Sequence, residues 1–274
     1  MPTFQNTTFA SFFKRILQFG HAGNNGTPTS LTNIQAGDGK ATSLSLSNDS
    51  LQVKPTVDDG IAFGVQSKSG NTILLVNTTD SRVLTGVSQV VANTQYAHFG
   101  ISWVDTAGLN FLADTHYAIP FGGSHYGGVT AANYAMGSST SSSFNDTNPA
   151  TSLTISTTAH SIVRAYWYVM DDITIDAVKW LHGADTATGE DTAAHLMAYT
   201  VDIGNGSTSG DLSSGTVVAD GANITNAGYE QIHYQSMTIQ NANVAAGKVI
   251  LFTFASDTVN SDYSINATVK YHIR

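Results

Sequence analysis

The chain has 274 residues, and only 11% of them are charged, compared with about 25% in an ordinary soluble protein. Its formal net charge is −9 and no cluster of lysine and arginine exceeds two residues, so nucleic acid is excluded as a general partner. There is no cysteine, which excludes disulfides and thiolate metal sites, and no apolar run approaches the roughly 20 residues that a membrane-spanning helix needs.

The first predicted element is a short amphipathic helix near the start of the chain. It follows Thr7 and Thr8, which are suitable caps, and it ends before Gly20. At about 12 residues it is too short to be stable alone, so its apolar stripe must pack on its own domain or on a partner or sister chain. We predict that residues 1–36 form an attachment segment made of this helix and a linker. The residues expected to bind the partner are Phe9, Phe12, Phe13, Ile16 and Leu17.

Residues 37–93 are predicted to form a small β region. Short runs with strand composition lie at 44–47, 51–53, 61–65, 73–76 and 82–84, and turns rich in Asn, Asp, Ser and Gly separate them. The region offers few large side chains with which to close a core. We therefore expect it to be completed by oligomerisation.

From residue 94 to residue 274 the predicted strands are longer and carry most of the aromatic residues. The closing stretches at 249–255 and 263–273 are expected to be two sheet strands, each with one face buried and one face polar. Further strands are expected at 96–104, 116–121, 152–156, 161–169, 173–181, 193–201, 215–219 and 231–239. The fold class predicted is all-β: a jelly-roll-like antiparallel β-sandwich, preceded by the small β region and the N-terminal helix.

A long polar segment at 122–148 is predicted to be an exposed loop, and loops of this length are usually functional. Aromatic and histidine side chains around it could grip a sugar by stacking and hydrogen bonding. Alternatively, they cover the end of the sandwich or are solvated loop side chains. The candidate ligand-binding residues are His116, Tyr117, His125, Tyr126 and Tyr134.

No sequence motif predicts a metal, a cofactor or a catalytic reaction. There is no His-x-His or His-Glu-x-x-His pattern, and no Gly-x-Ser-x-Gly elbow precedes a helix. Asp-rich turns at 37–39, 58–60 and 185–191 leave calcium binding open. Carboxylates that could cleave a glycoside are explained equally well by turn chemistry, and they are Asp171, Asp172, Asp185, Glu190 and Asp191. We expect a protein that is not an enzyme.

Three stretches of the chain resemble structural proteins of marine tailed bacteriophages. They are Phe13-Lys14-Arg15-Ile16-Leu17-Gln18, the Gly-Asp-Gly of 37–39 leading to Leu-Ser-Leu-Ser at 44–47, and Asn-Ser-Asp-Tyr-Ser-Ile-Asn at 260–266 with Val-Lys-Tyr-His at 269–272. The resemblance implies a virion component, a homotrimeric fibre or spike held by its N-terminus to other virion proteins and displaying its β-sandwich outward. It also allows a capsid decoration protein, or a receptor-binding protein that binds or cleaves a host surface glycan.

The start of the chain is unlike a signal peptide, because Lys14 and Arg15 lie inside its apolar stretch and not before it. This fits a virion protein that assembles in the host cytoplasm, and it disfavours a bacterial adhesin or surface-layer module. The expected localisation is therefore the virion.

Overall fold

The computed structural model describes residues 17–19, 28–36, 40–101, 116–122, 162–185, 189–202, 211–257 and 262–274. The chain divides into two compact units, Met1–Asn93 and Thr94–Arg274. Nearly all regular structure in the described residues is antiparallel β-sheet, and the one helical segment among them is a single 3-10 turn, Val163–Ala165. The all-β prediction is confirmed.

The unit Met1–Asn93 contains two four-stranded antiparallel meanders. The first consists of β1 (Leu17–Phe19), β2 (Thr32–Ala36), β3 (Ala41–Leu46) and β4 (Leu51–Val53). The second consists of β5 (Phe63–Gln66), β6 (Thr72–Asn77), β7 (Arg82–Thr85) and β8 (Val90–Val91). Each strand pairs with the next one along the chain, and apart from the connection at 20–31 the paired strands are separated by only four or five residues.

The end of the predicted N-terminal helix is corrected by the structure. Leu17 begins strand β1 and pairs with Ala36 of β2, so it is not the last apolar residue of a helix. The strand β2 itself lies where the sequence predicted a linker. Pairing with a partner 19 positions away supplies hydrogen bonds that the local spacing of apolar residues does not reveal. The remainder of the predicted helix, residues 9–16, lies outside the described residues.

The unit Thr94–Arg274 is built from twelve strands among its described residues. They are β9 (Thr94–Ile101), β10 (Tyr117–Ile119), β11 (Trp167–Tyr168), β12 (Ile173–Asp185), β13 (Asp191–Asp202), β14 (Asp211–Asp220), β15 (Ile224–Thr225), β16 (Gln231–Ser236), β17 (Thr238–Ile239), β18 (Asn243–Val244), β19 (Lys248–Ser256) and β20 (Asp262–Ile273).

These strands form two sheets, and the chain passes repeatedly from one sheet to the other. One sheet, of seven strands, has the order β10-β19-β13-β14-β17, with β11 on β19 and β15 on β13. The other, of five strands, has the order β16-β12-β20-β9, with β18 on β12. Four strands of one sheet (β9, β20, β12, β16) and four of the other (β10, β19, β13, β14) thus reproduce the eight-stranded order of a jelly roll. The predicted jelly-roll sandwich is confirmed by this topology.

The main core lies between the two sheets. Trp180 from the five-stranded sheet is fully buried, and its ring centroid lies 6.0 Å from those of Phe252 and Phe254 on the seven-stranded sheet. Phe99 and Tyr263, also fully buried, extend this aromatic layer on either side. Such interdigitated rings contribute both apolar burial and favourable edge contacts, so the sandwich has a self-sufficient core.

The two sheets differ in how their outer faces are covered. In the seven-stranded sheet, Met197, Tyr199 and Leu251 point away from the main core yet are fully buried, and Ile162 and Ala165 pack beside them. The predicted strand at 161–169 is thus partly wrong, because a 3-10 turn at Val163–Ala165 precedes the short strand β11. The outer face of the five-stranded sheet is open, as the alternating half-buried and exposed residues of β16 show.

Candidate functional site

The second sheet of the N-terminal unit, β5–β8, is apolar on both faces. Phe63, Val76 and Val83 lie side by side on one face, because Phe63 pairs with Val76 and Val76 pairs with Val83. Leu75 and Leu84 pair on the other face. A sheet with one solvated face normally alternates apolar and polar residues, whereas apolar residues on both faces are typical of a sheet that is covered twice.

The described part of this unit nevertheless buries almost none of its large apolar side chains. Leu75, at 7% exposure, is the single buried one among them. Ten others are between 40% and 75% exposed: Leu31, Leu51, Val57, Ile61, Phe63, Val65, Ile73, Val83, Val87 and Val90. Three of them, Phe63, Val65 and Val83, share one face of the β5–β8 sheet. We call the ten residues the association surface, because exposed apolar patches mark interaction sites in soluble proteins.

A groove within the same unit opens beside this surface. Its volume is about 280 Å³, and its lining is formed by Leu51, Val53, Ala62, Phe63, Val76 and Thr78. No titratable side chain is among these lining residues, and Thr78 contributes the one polar side chain. Its shape and chemistry suit apolar side chains inserted by another chain.

A polar cluster lies between the sheets of the jelly roll. The ring of His182 stacks on Trp180 with centroids 4.5 Å apart, and Thr192 Oγ1 lies 3.3 Å from His182 Nε2. Because the Thr192 hydroxyl donates to the carbonyl of Ile224, it accepts a hydrogen bond from His182 Nε2. His233 stacks on the other side of His182 and donates through Nε2 to Asn226 Oδ1 at 3.0 Å.

Both histidines of this cluster are held in the neutral state. Burial, together with the charge that a protonated His233 would place beside it, lowers the pKa of His182 to about 3. Burial also lowers the pKa of His233. The Nδ1 atom of His182 has no hydrogen-bond partner among the described residues, which fits a neutral ring whose Nδ1 carries only a lone pair. These histidines therefore form a neutral stacked pair inside the sandwich.

A second buried polar group lies close by and contains one of the two glutamates of the chain. Tyr263 donates its hydroxyl to Glu190 Oε2 at 3.5 Å, and Ser256 Oγ lies 2.8 Å from the same hydroxyl. Glu190 is 8% exposed. Burial raises the pKa of Asp257, and the charges of Asp191 and Glu190 raise it further, whereas the hydrogen bond from the Asp191 backbone lowers it.

Three of the described carboxylates that the sequence offered for glycoside cleavage accept hydrogen bonds within the fold, namely Asp172, Glu190 and Asp191. Asp172 accepts the backbone N–H of Ala246 at 2.9 Å, and Asp191 accepts the hydroxyl of Thr225. Asp171 is exposed beside a shallow cleft of about 110 Å³ at the start of β12. The side chain of Asp185 lies outside the described residues.

Two of the candidate ligand-binding residues are not surface side chains. His116 is 2% exposed and its ring lies 5.3 Å from that of His195, while Tyr117 is 1% exposed and belongs to the main core. The expectation that they are exposed around the loop is therefore corrected: β10 lies within the seven-stranded sheet, beside β19, and both residues are buried there. His125, Tyr126 and Tyr134 lie outside the described residues, as does most of the predicted loop at 122–148.

Most of the predicted partner-binding residues also lie outside the described residues, namely Phe9, Phe12, Phe13 and Ile16. Among the residues that are described, no group of three or more His, Asp or Glu side chains is arranged to hold a metal ion. In the Asp58–Gly60 turn, Asp59 Oδ1 accepts the N–H of Ile61 at 2.7 Å, as expected of a turn carboxylate.

No helix among the described residues is long and apolar enough to cross a bilayer.

The sequence reasoning missed the outer face of the five-stranded sheet. Tyr96 and Tyr234 are 60% and 58% exposed there, and Lys179 lies over the ring of Tyr234 with its Nζ 5.8 Å from the centroid. A signal was present, because Ile232 and Tyr234 occupy alternate positions of one strand whose remaining positions are polar. It could not be assigned to the outer face without knowing which side of the strand faces the core.

Comparison with known proteins adds little to this geometry. No family model matches the chain, and no curated protein matches it. A chain in a solved structure of infectious bursal disease virus, Gx strain, is similar over 92% of this chain and 50% of its own length, with 11% identity and a TM-score of 0.25. This chain thus spans about half the length of the viral one. At that TM-score the likeness carries no argument about fold or function.

Proposed function

We propose that the protein is a non-enzymatic structural component of a virion, a homotrimeric fibre-like or spike-like part whose N-terminal unit associates with sister chains and other virion proteins. The jelly roll is the displayed portion. The observation that carries this proposal is the β5–β8 sheet, which is apolar on both faces and buries only Leu75 among its described large apolar side chains.

A second copy of the chain is the occupant that this surface favours. Leaving ten large apolar side chains in water costs stability that association recovers, at roughly 25 cal/mol for each Å² of apolar surface removed from water. When identical copies assemble around a symmetry axis, every copy buries the same exposed apolar surface. The trimeric state and the virion location rest on the resemblance of the sequence to phage structural proteins.

Analytical ultracentrifugation of the full chain tests the association. We expect three times the monomer mass of 28.9 kDa at micromolar concentration. The double variant Phe63→Lys, Val83→Lys places charges on one face of the sheet and is expected to give monomers with unchanged circular dichroism. Met170→Lys, at a residue that is 78% exposed on the jelly roll, is the matched control and should remain trimeric. A wild-type monomer would overturn the proposal.

The virion location is tested on particles. Mass spectrometry of purified virions should detect the chain, and removing residues 1–20 should abolish its attachment but leave the jelly roll folded. Copy number separates the alternatives, because a capsid decoration protein occurs in many copies and a fibre or spike in few. An enzyme acting on host envelope polysaccharide would release reducing ends from that polysaccharide, and we expect none to be released.

A further inference from the structure

The outer face of the five-stranded sheet carries four side chains on a diagonal that crosses all of its long strands. Tyr234 is on the edge strand β16, and Lys179 of β12 lies over its ring at 5.8 Å. Lys179 pairs with Thr268, so Lys270 is its diagonal neighbour on β20, about 7 to 8 Å away. Tyr96 of β9 pairs directly with Lys270. We call these four residues the diagonal track.

The length of the track follows from sheet geometry. Three strand spacings of about 4.8 Å and two steps of two residues along the strands give roughly 20 Å from Tyr234 to Tyr96. Polar side chains border it: Asn266 is exposed beside Leu181, and His98 Nδ1 lies 3.2 Å from Thr268 Oγ1. Hydrogen-bonding groups are therefore present along the full diagonal.

The two lysines of the diagonal track are positively charged, whereas the chain as a whole is negatively charged. The whole protein has a formal charge of −9, yet two of its 11 lysines and arginines lie as neighbours on this face. Asp176, at the bulge of β12 beyond Lys270, has both carboxylate oxygens 3.0 Å from His272 Nδ1. The ring of His272 donates through Nδ1 to that carboxylate, so Asp176 already has a hydrogen-bond partner, and the two lysines can attract an external anion.

The composition of the face argues against its being an interface between copies of the chain. The cores of protein interfaces are depleted in Lys and Ser and rich in closely packed apolar groups. Here the middle row reads Ser236, Lys179, Thr268 and His98 across the four strands. The apolar residues Leu181 and Ile232 are confined to β12 and the edge strand β16. Exposed tyrosine rings among hydroxyl, amide and ammonium groups are instead suited to sugars.

We propose that the diagonal track binds an extended acidic polysaccharide. The rings of Tyr234 and Tyr96 stack on sugar faces at the two ends, and the ammonium groups of Lys179 and Lys270 bind carboxylates of the residues between them. The ligand class is a uronic-acid-containing glycan, and the site takes several sugar residues. This proposal rests on the proposed function in one respect, because a displayed jelly roll would meet such a glycan on a host surface.

Titration calorimetry of the full chain with a polyuronate oligosaccharide tests the site, with a neutral dextran oligosaccharide of similar length as the comparison ligand. We expect binding of the polyuronate and none of the dextran. The double variant Lys179→Gln, Lys270→Gln should weaken binding by about tenfold or more, and Tyr234→Ala by several-fold. Lys68→Gln, at an exposed lysine of the N-terminal unit, is the matched control and should bind as the wild type does.

The wild-type protein supplies a test that needs no variant. Raising sodium chloride from 50 to 500 mM should weaken polyuronate binding, because screening reduces exposed charge attraction. Equal binding of dextran, unchanged affinity in the lysine double variant, or no polyuronate binding would overturn the proposal. Loss of the trimer in the Tyr234→Ala variant would also overturn it and assign the face to association. A monomeric wild type that binds polyuronate would instead contradict only the proposed assembly.

Discussion

The imidazole rings of His182 and His233 stack inside the sandwich with their centroids 4.8 Å apart and an angle of 25° between their planes. One nitrogen of each ring is used in a hydrogen bond, to Thr192 and to Asn226. Protonating either ring would place a positive charge beside the other imidazole. For His182 that charge would also be buried. The fold is therefore more stable while His182 is neutral.

Acid should destabilise the jelly roll through His182. Burial and the neighbouring His233 lower the folded-state pKa of His182 from 6.5 to about 3, so between these values the unfolded chain binds a proton that the folded chain does not. The free energy of unfolding then falls as the pH falls from 6.5 towards 3, by at most about 1.4 kcal/mol per pH unit for this group, and is unaffected above 6.5. Urea unfolding at pH 7, 6 and 5 measures the slope.

The variant His182→Phe isolates this contribution, since Phe keeps the stacking but cannot be protonated. Its stability should depend less on pH between 6.5 and 5 than that of the wild type. His98→Phe, at an exposed histidine, should keep the wild-type slope. Equal slopes in the wild type and His182→Phe would show that His182 does not resist protonation.

Two buried tyrosines should respond oppositely to loss of their hydroxyl groups. Tyr199 is fully buried, and its hydroxyl has no hydrogen-bond partner among the described residues, so Tyr199→Phe should raise stability by about 1 kcal/mol. Tyr263 donates to Glu190 and contacts Ser256, so Tyr263→Phe should lower it by roughly 1–3 kcal/mol. Thermal unfolding of both variants checks the signs, and a destabilised Tyr199→Phe would reveal a partner for that hydroxyl.

The strands of the jelly roll were predictable from the sequence because alternation and β-branched residues are local. How deeply each face of a strand is buried was not predictable from the sequence. The run at 249–255 predicts a strand, but Leu251 and Phe252 are both fully buried on opposite faces of β19, because residues such as Ile162 cover the outer side. Which face is covered depends on distant segments that a local pattern does not encode.

The candidate site was predicted less well for the same reason. His116 lies before a glycine-rich segment, which favours an exposed position in the sequence, but its place beside the sheet buries it. Leu17 fits a helical spacing, but pairing with Ala36 places it in a strand. The expectation that residues 37–93 are completed by oligomerisation stays a prediction, and in the structure it rests on large apolar side chains that the single chain leaves exposed, not on a scarcity of them.

Gly221 should be intolerant of a side chain, although its backbone angles do not require glycine. A Cβ there would clash with Gln235 Oε1 and lie 3.3 Å from the carbonyl of Ala194. Gln235 cannot move freely, since its amide accepts Trp180 Nε1–H at 3.1 Å and donates to Ala222 at 2.8 Å. We expect Gly221→Ala to cost about 1–3 kcal/mol in chemical unfolding.

A double-mutant cycle identifies the cause of that cost. In a Gln235→Ala background the clash is gone, so Gly221→Ala should cost less there than in the wild type. Gly228→Ala is the control, because its nearest neighbour would be 3.9 Å away, an ordinary contact. Additive costs in the cycle would place the strain at Ala194 and not at Gln235.

The two units should unfold in separate transitions, and only one should depend on protein concentration. Thr94–Arg274 has its own core around Trp180 and Phe252, so its midpoint should be the same at 5 and 50 μM. Among the described residues of Met1–Asn93, Leu75 is the one large apolar side chain that a single chain buries, so we expect association to stabilise this unit, and mass action then raises its midpoint with concentration. Differential scanning calorimetry at the two concentrations measures both. The double variant Phe63→Lys, Val83→Lys should remove the concentration dependence and leave the jelly-roll transition in place, whereas a concentration-independent N-terminal transition in the wild type would mean that this unit is stable without sister chains.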